Sequence, residues 1–148
     1  MRGFCGIGVV NSKASANIGT LWRSADAFGA SFIFTVARRY SYQSTDNWKT
    51  PRHVPLFNFA TIADLRAHLP MECRLVGVEI DEAAAMLPDF KHPEQACYLL
   101  GAEDHGLTTE ARAACHHLVV IPGAHRCINV ATAGSIVLYD RATRGTSC

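Results

Sequence analysis

From residue 4 to residue 144 the chain alternates between short runs that are apolar at nearly every position and longer segments whose apolar residues recur at helical spacing. The runs Phe4–Val10, Phe32–Val36, Leu56–Phe59, Arg74–Val78, 96–100 and 118–121 read as strands. Residues 17–28 place Ile18, Leu21, Ala25 and Phe28 on one helical stripe that Gly29 ends. Thr61 caps a helix that runs to Leu69 and stops at Pro70, residues 83–87 read as a helical turn, Thr108 or Thr109 caps a short helix to Ala114, and residues 130–144 form the last helix. A strand apolar along its whole length has no face to give to water. Strands of that kind, alternating with helices, predict an α/β fold: a parallel sheet with helices on both faces.

The bounds set by size and composition agree. At 148 residues, 49% hydrophobic and 18% charged, residues 1–148 read as a single domain able to bury a core without disulfide or metal staples. No apolar run approaches the roughly 18 residues of a membrane span, and MRGFCGIGVVNSKAS lacks the apolar centre of a signal peptide, so a cytoplasmic protein with no membrane partner is expected. The net charge of +1 neither announces nor excludes a nucleic-acid partner, because a local patch is what touches phosphate. Six scattered cysteines, with no Cys-x-x-Cys pair, read as reduced and mostly buried thiols. Cys115, His116 and His117, with His125 nearby in sequence, cannot easily converge on one ion, since adjacent strand residues point to opposite faces; no metal is expected.

In a parallel sheet, ligands bind in the loops that leave the carboxyl ends of the strands. Three of these loops carry unusual residues. In NIGTLWRSADAFGA, Asn17 serves either as a helix cap or as a polar site residue, and Arg23 either as a surface arginine or as a rigid fork for phosphate. In LLGAEDHGLT, Gly101 leaves room for close approach to the backbone, and Glu103 is either a loop solvator or a carboxylate that holds a partner. In IPGAHRCINVATAGSIVLYD, Pro122 and Gly123 break the last strand, and Asn129 stands where the last helix begins, with one donor group and one acceptor.

Taken in order, N-x-G-x-x-x-R at 17–23, G-x-E-x-x-G-L at 101–107, and I-P followed by I-N-V-A-x-A at 121–133 resemble the three motifs of the SpoU/TrmH family, RNA ribose 2′-O-methyltransferases of the SPOUT class. The likeness runs from residue 17 to about residue 140. It implies that the carboxyl-terminal part of the sheet is threaded into a deep trefoil knot, a rare exception to unknotted chains. It implies S-adenosylmethionine as cofactor, with S-adenosylhomocysteine as product, and a homodimer. By position it assigns Val78, Gly101, Ile121 and Ile128 to the cofactor pocket, and Asn17, Arg23, Glu103 and Asn129 to the polar, catalytic set. One departure is Cys127, where the family commonly has Ser.

Methyl transfer from a sulfonium to a ribose oxygen neutralises charge, so alignment and exclusion of water can supply much of the acceleration. Arg23 either fixes the neighbouring phosphate or meets the hydroxyl; an always-charged guanidinium suits positioning better than proton removal. RNA contact is expected on VARRYSYQSTDNWKTPRHV, where Arg38, Arg39, Lys49 and Arg52 interleave with Tyr40, Tyr42 and Trp48. The last helix, with Ala131, Ala133, Gly134, Val137, Leu138 and Ala142, is the expected dimer surface, part of that stripe being core. The RNA is expected to be tRNA ahead of ribosomal RNA. Two rivals stand beside this reading. One is a non-catalytic RNA- or nucleotide-binding module on the same fold, which would not need the polar set. The other is a dinucleotide-dependent enzyme, which would want a G-x-G-x-x-G turn that is missing after the first strand.

Overall fold

The structure is a computed structural model and describes residues 3–40 and 53–144. In chain order its elements are β1 (Phe4–Val10), α1 (Ser15–Ala27), β2 (Phe32–Val36), β3 (Leu56–Phe59), α2 (Ile62–His68), β4 (Arg74–Val78), β5 (Ala85–Met86), a 3-10 turn at Leu87–Asp89, β6 (Gln95–Leu100), α3 (Thr109–Ala114), β7 (His117–Val120) and α4 (Val130–Thr143). β1 is buried from its second residue onward, so both of its edges need backbone partners. It lies between β2 and β6, parallel to each. Every other pairing is also parallel, and the full order is β3-β2-β1-β6-β4-β7-β5.

Alternation along the strands divides the core into two layers, as the pleat requires. Cys5, Ile7 and Val9 of β1 and Tyr98 and Leu100 of β6 pack with Leu21, Trp22 and Ala25 of α1 and Val137 and Leu138 of α4. On the opposite face Phe34, Leu75, Cys97 and Leu99 meet Ile62 and Leu65 of α2 and Ala111 of α3. The expected α/β sheet with helices on both faces is what the chain forms. Among the described residues, no helix is long and apolar enough to cross a membrane.

Three expectations are corrected. Residues 83–87 do not form a helical turn, since Ala85 and Met86 pair with Val119 and Val120 to make the edge strand β5. A two-residue strand is too short to show alternation, and pairing with a neighbour overrides the helical preference of an alanine run. The small residues of α4 face the chain's own core. Ala131, Ala133, Gly134, Val137 and Leu138 are all buried, and a Cβ added at Gly134 would lie 2.4 Å from Leu21 Cδ1, so the glycine sets how closely α4 approaches α1. The outer face of α4 instead presents Tyr139, 58% exposed, and Ala142. Finally, Cys5 is disulfide-bonded, whereas Cys73, Cys97, Cys115 and Cys127 are free thiols; a single bridge leaves no spacing signature in a sequence.

At the amino-terminal end of the sheet, α4 is tied down by a buried cation. Arg141 is fully buried, and its guanidinium donates to the carbonyls of Pro93 (2.7 Å) and Glu94 (2.8 Å) and to Tyr98 Oη (3.1 Å). His92, also buried, places Nδ1 2.6 Å from Tyr98 Oη and Nε2 2.8 Å from Asp140 Oδ2, a carboxylate that also receives Arg144. Burial lowers the His92 pKa, against the raising effect of Asp140, and Arg144 and Arg141 push it further down. Burial likewise raises the Tyr98 phenol to about 12.

Replacing Arg141 with Leu removes a donor from the carbonyls of Pro93, Glu94 and Phe4 and from the Tyr98 phenol at once. The expected loss is about 2–4 kcal/mol of unfolding free energy, read by urea denaturation. Because the folded-state pKa of His92 lies below its ordinary 6.5, the unfolded chain binds more protons as pH falls through that value. Stability is therefore fully present above about pH 6.5 and declines below it. His92→Gln is expected to flatten that part of the stability profile, measured as denaturation midpoint between pH 7.5 and 5.

Candidate active site

The carboxyl ends of β1, β6 and β7 deliver three loops to one place. α1 begins at Ser15, with Ala14 at its cap position and no side-chain cap, so Asn17 lies in the first turn and its amide is not used as a cap. Asn17 Nδ2 donates to Glu103 Oε1 at 2.9 Å, and Asn17 Oδ1 accepts from Asn129 Nδ2 at 2.9 Å. Asn129 does cap α4, its Oδ1 accepting from Thr132 N at 3.1 Å, so this residue is cap and site residue at once. Three of the four residues picked out as the polar set thus form a single relay across residues far apart in sequence. A carboxylate accepts only, which fixes the direction of every bond in the relay.

Glu103 is also held by the loop after β1, taking Ser12 Oγ at 3.2 Å and Lys13 N at 3.1 Å. Burial pushes its pKa up, but the hydrogen bonds from Asn17 and from backbone N–H groups outweigh burial, and the net shift is downward. Glu103 is therefore a carboxylate at neutral pH. Its neighbour Asp104 pairs with the Lys13 ammonium, which closes the loops on their solvent side.

Beside the relay lies a cleft that opens between the loops after β4, β6 and β7. Val78, Gly101, Ile121 and Ile128, the four residues assigned to a cofactor pocket, all line it, together with Leu100, Glu103 and Cys127. The role expected of Gly101 changes. A Cβ there would lie 2.2 Å from the backbone of Gly106, because the loop folds back through Ala102 and Gly106, which exchange backbone hydrogen bonds. The glycine serves the loop's own closure first.

Arg23 stands exposed on α1, six residues beyond Asn17, and is not among the residues lining the cleft. Arg38 and Arg39 follow β2 through a strained corner: Ala37 has φ of +72°, and Arg38 N donates to Val36 O across it at 2.9 Å, a positive-φ γ-turn. They line a second groove with Tyr40, Ser12, Ser15 and Lys13. Lys49 and Arg52, with Tyr42 and Trp48, lie outside the described residues. Among the described residues no group of three or more His, Cys, Asp or Glu is arranged to hold a metal ion.

Lys13 and Glu79 were missed by the sequence reading. Lys13 is a common residue in a polar loop and carries no pattern. Glu79 did leave a signal: it is a carboxylate directly after the buried strand β4, where ligand loops begin.

Against this geometry, comparison with known proteins is decisive for kinship. The sequence profile of the SpoU rRNA Methylase family matches residues 6–139. The chain belongs to that family. Over 129 residues it is 26% identical to the tRNA (guanosine(18)-2′-O)-methyltransferase of Escherichia coli K12, covering 84% of this chain and 56% of the relative. It is 26% identical over 134 residues to the 23S rRNA (guanosine-2′-O-)-methyltransferase RlmB of Acinetobacter baylyi, covering 84% and 53%. The chain therefore spans little more than half the length of these curated relatives. Among solved structures, the SpoU methyltransferase AviRb from Streptomyces viridochromogenes, in complex with AdoMet, superposes with a TM-score of 0.76 at 25% identity, over 97% of this chain and 58% of that one. A TrmH-family protein from Porphyromonas gingivalis shares the fold with a TM-score of 0.85 at 20% identity, over 98% and 61%.

The relay makes a direct prediction about this SpoU-family chain. Asn17→Leu removes one bond to Glu103 and one to Asn129 without changing side-chain size greatly. An unfolding free energy lower by about 1–2 kcal/mol is expected in denaturant titration, with the sheet's circular dichroism retained.

Proposed function

We propose that this chain catalyses transfer of a methyl group from S-adenosylmethionine to a ribose 2′-hydroxyl of RNA, releasing S-adenosylhomocysteine. The observation that carries the reading is the Glu103–Asn17–Asn129 relay at the rim of a largely apolar cleft. Family membership supports it, as does the AdoMet complex of the AviRb structure. The residues present fit the cofactor. Apolar walls at Val78, Leu100, Ile121 and Ile128 suit a flat heterocycle, and an ionised Glu103 on the rim suits a cation.

In this reading Val78, Gly101, Ile121 and Ile128 hold the cofactor, which supplies a methyl group activated by a sulfonium. Asn17 and Asn129 each keep a free amide hydrogen, and these orient the acceptor ribose. Arg23 fixes the phosphate beside the acceptor hydroxyl, and that phosphate takes the proton; a guanidinium positions rather than accepts. Lys13, Arg38 and Arg39 line the groove that follows the RNA backbone, with Tyr40 available for stacking. Lys49 and Arg52 extend the same basic stretch in sequence. Cys127 lines the cleft as a weak thiol donor in place of the hydroxyl common in the family.

Two further features belong to the proposal. The segment from β6 to α4 is read as a trefoil knot; the insertion of β6 between β1 and β4, with β7 beyond β4, supports that threading. The working unit is read as a homodimer joined through the outer face of α4, where Tyr139 and the Phe28 ring stack edge to face at 6.2 Å. We take tRNA ahead of ribosomal RNA as substrate, a choice supported by the relative from Escherichia coli.

A methyl-transfer assay tests the whole reading. Wild type and Arg23→Ala are offered hypomethylated bulk tRNA and rRNA in separate reactions, and nucleosides are read by mass spectrometry. A 2′-O-methylnucleoside made by wild type in tRNA is expected. Arg23→Ala should lower turnover by about 100-fold or more while leaving the cofactor dissociation constant nearly unchanged. Equal loss of turnover and cofactor binding would remove Arg23 from the role given to it.

A further inference from the structure

We infer that Glu79 is a positioning residue for the cleft: its one carboxylate ties the loop after β4 to the loop after β6. The inference rests on the cleft being the cofactor site. Glu79 lines the cleft, yet its side chain is only 11% exposed. Oε1 accepts from Ile80 N at 2.8 Å and Oε2 accepts from Leu107 N at 2.7 Å. Ile80 belongs to one wall of the cleft, and Leu107 directly follows Gly106 on the other. Leu107 is itself 2% exposed and its bond to Glu79 is part-buried, so removing the carboxylate takes away the acceptor that holds this N–H in place.

A second group crosses the same gap. Arg112, on α3, donates through Nε to Leu107 O at 3.2 Å and through Nη1 to Asp81 Oδ2 at 3.0 Å, and its Nη2 lies 3.8 Å from Glu79 Oε2. The two loops are therefore joined twice, by an anion from the β4 side and by a cation from the α3 side. Bonds to charged groups are the stronger kind, and Arg112, closest to Asp81, offsets part of the combined charge of Asp81 and Glu79. Neither Glu79 nor Arg112 belongs to the Asn17–Glu103–Asn129 relay. What the clamp fixes is the spacing of the walls, so it acts on affinity through preorganisation and leaves the reacting atoms alone.

The test uses the full chain with Glu79→Ala, Glu79→Gln and Arg112→Ala. Three readouts are taken: the S-adenosylmethionine dissociation constant by calorimetry, amide exchange at Ile80 and Leu107 without cofactor, and the KM-against-kcat split with RNA. Glu79→Ala is expected to weaken cofactor binding by about tenfold and to speed exchange at Leu107, with Tyr98 in the core unaffected. Glu79→Gln keeps one acceptor and should fall between Ala and wild type. kcat at saturating cofactor and KM for RNA should stay within about twofold of wild type. An unchanged dissociation constant, or a fall in kcat with binding intact, overturns the inference. If Glu79→Ala does not fold, Arg112→Ala carries the test, with weaker cofactor binding and faster Leu107 exchange expected and no change in either overturning it. If wild type itself binds no cofactor, the proposed function fails separately. The clamp is then judged by exchange alone, and equal Leu107 protection in wild type and the variants overturns it.

Discussion

A parallel strand covered by helices on both faces can offer solvent only its ends, and this constraint governs where everything else in the molecule can be. β1, β6 and β4 are neighbours at the middle of the sheet, and their side chains are consumed by the two core layers. Chemistry is thereby confined to the loops that leave the carboxyl ends, where backbone groups are not yet claimed by the ladder. The cost of the arrangement is that separate loops must be brought into fixed relation without a sheet beneath them. Side-chain hydrogen bonds supply that relation: Asn17 bonds the side chains of Glu103 and Asn129, and Glu79 accepts from the backbone N–H groups of Ile80 and Leu107 to join the β4 and β6 loops.

The amino-terminal end of the sheet solves the opposite problem. There Arg141 and His92 are buried outright among carbonyls, a phenol and a carboxylate. Such a network gains little net stability over an apolar core, but it is costly to break in part. It fixes the last helix in register, and the start of that helix carries Asn129. The rigidity of one end of α4 is thus what lets its other end present a side chain accurately.

The fold was readable because its signals are periodic and long. Strands apolar at nearly every position and helices with a stripe every third or fourth residue leave patterns that survive without knowledge of the partners. Val78, Gly101, Ile121 and Ile128 were legible through motif order, and the structure gathers them in one cleft. What stayed hidden was relational. β5 is too short for a period, and the facing of Gly134 depends on Leu21, more than a hundred positions away. Asn17 looked like a cap because a helix start is normally capped, and only the position of Ser15 and Ala14 in the structure shows that its amide is spent elsewhere. Glu79 is a single carboxylate whose meaning comes from Leu107, so no local window contains both halves of its role.

Charge placement around the cleft carries one further consequence. With a formal charge of +1 the chain as a whole exerts little pull on a polyanion, so attraction to RNA, in the proposed reaction, has to be local. Arg38 and Arg39 would provide that locality in the groove next to the relay, since Lys13, which lines the same groove, is paired with Asp104. Two acids also stand there, Glu103 and Asp104, and a bare carboxylate would repel phosphate. Asp104 is paired with Lys13, and Glu103 takes its hydrogen bonds from Asn17 and the loop after β1. In the proposed reaction Arg38 and Arg39 would meet the backbone of the acceptor, while the ionised Glu103 stands on the rim of the cleft. A sulfonium and a polyanion need opposite fields close together, and in the proposed reaction the Glu103–Asn17–Asn129 relay would stand where those fields meet.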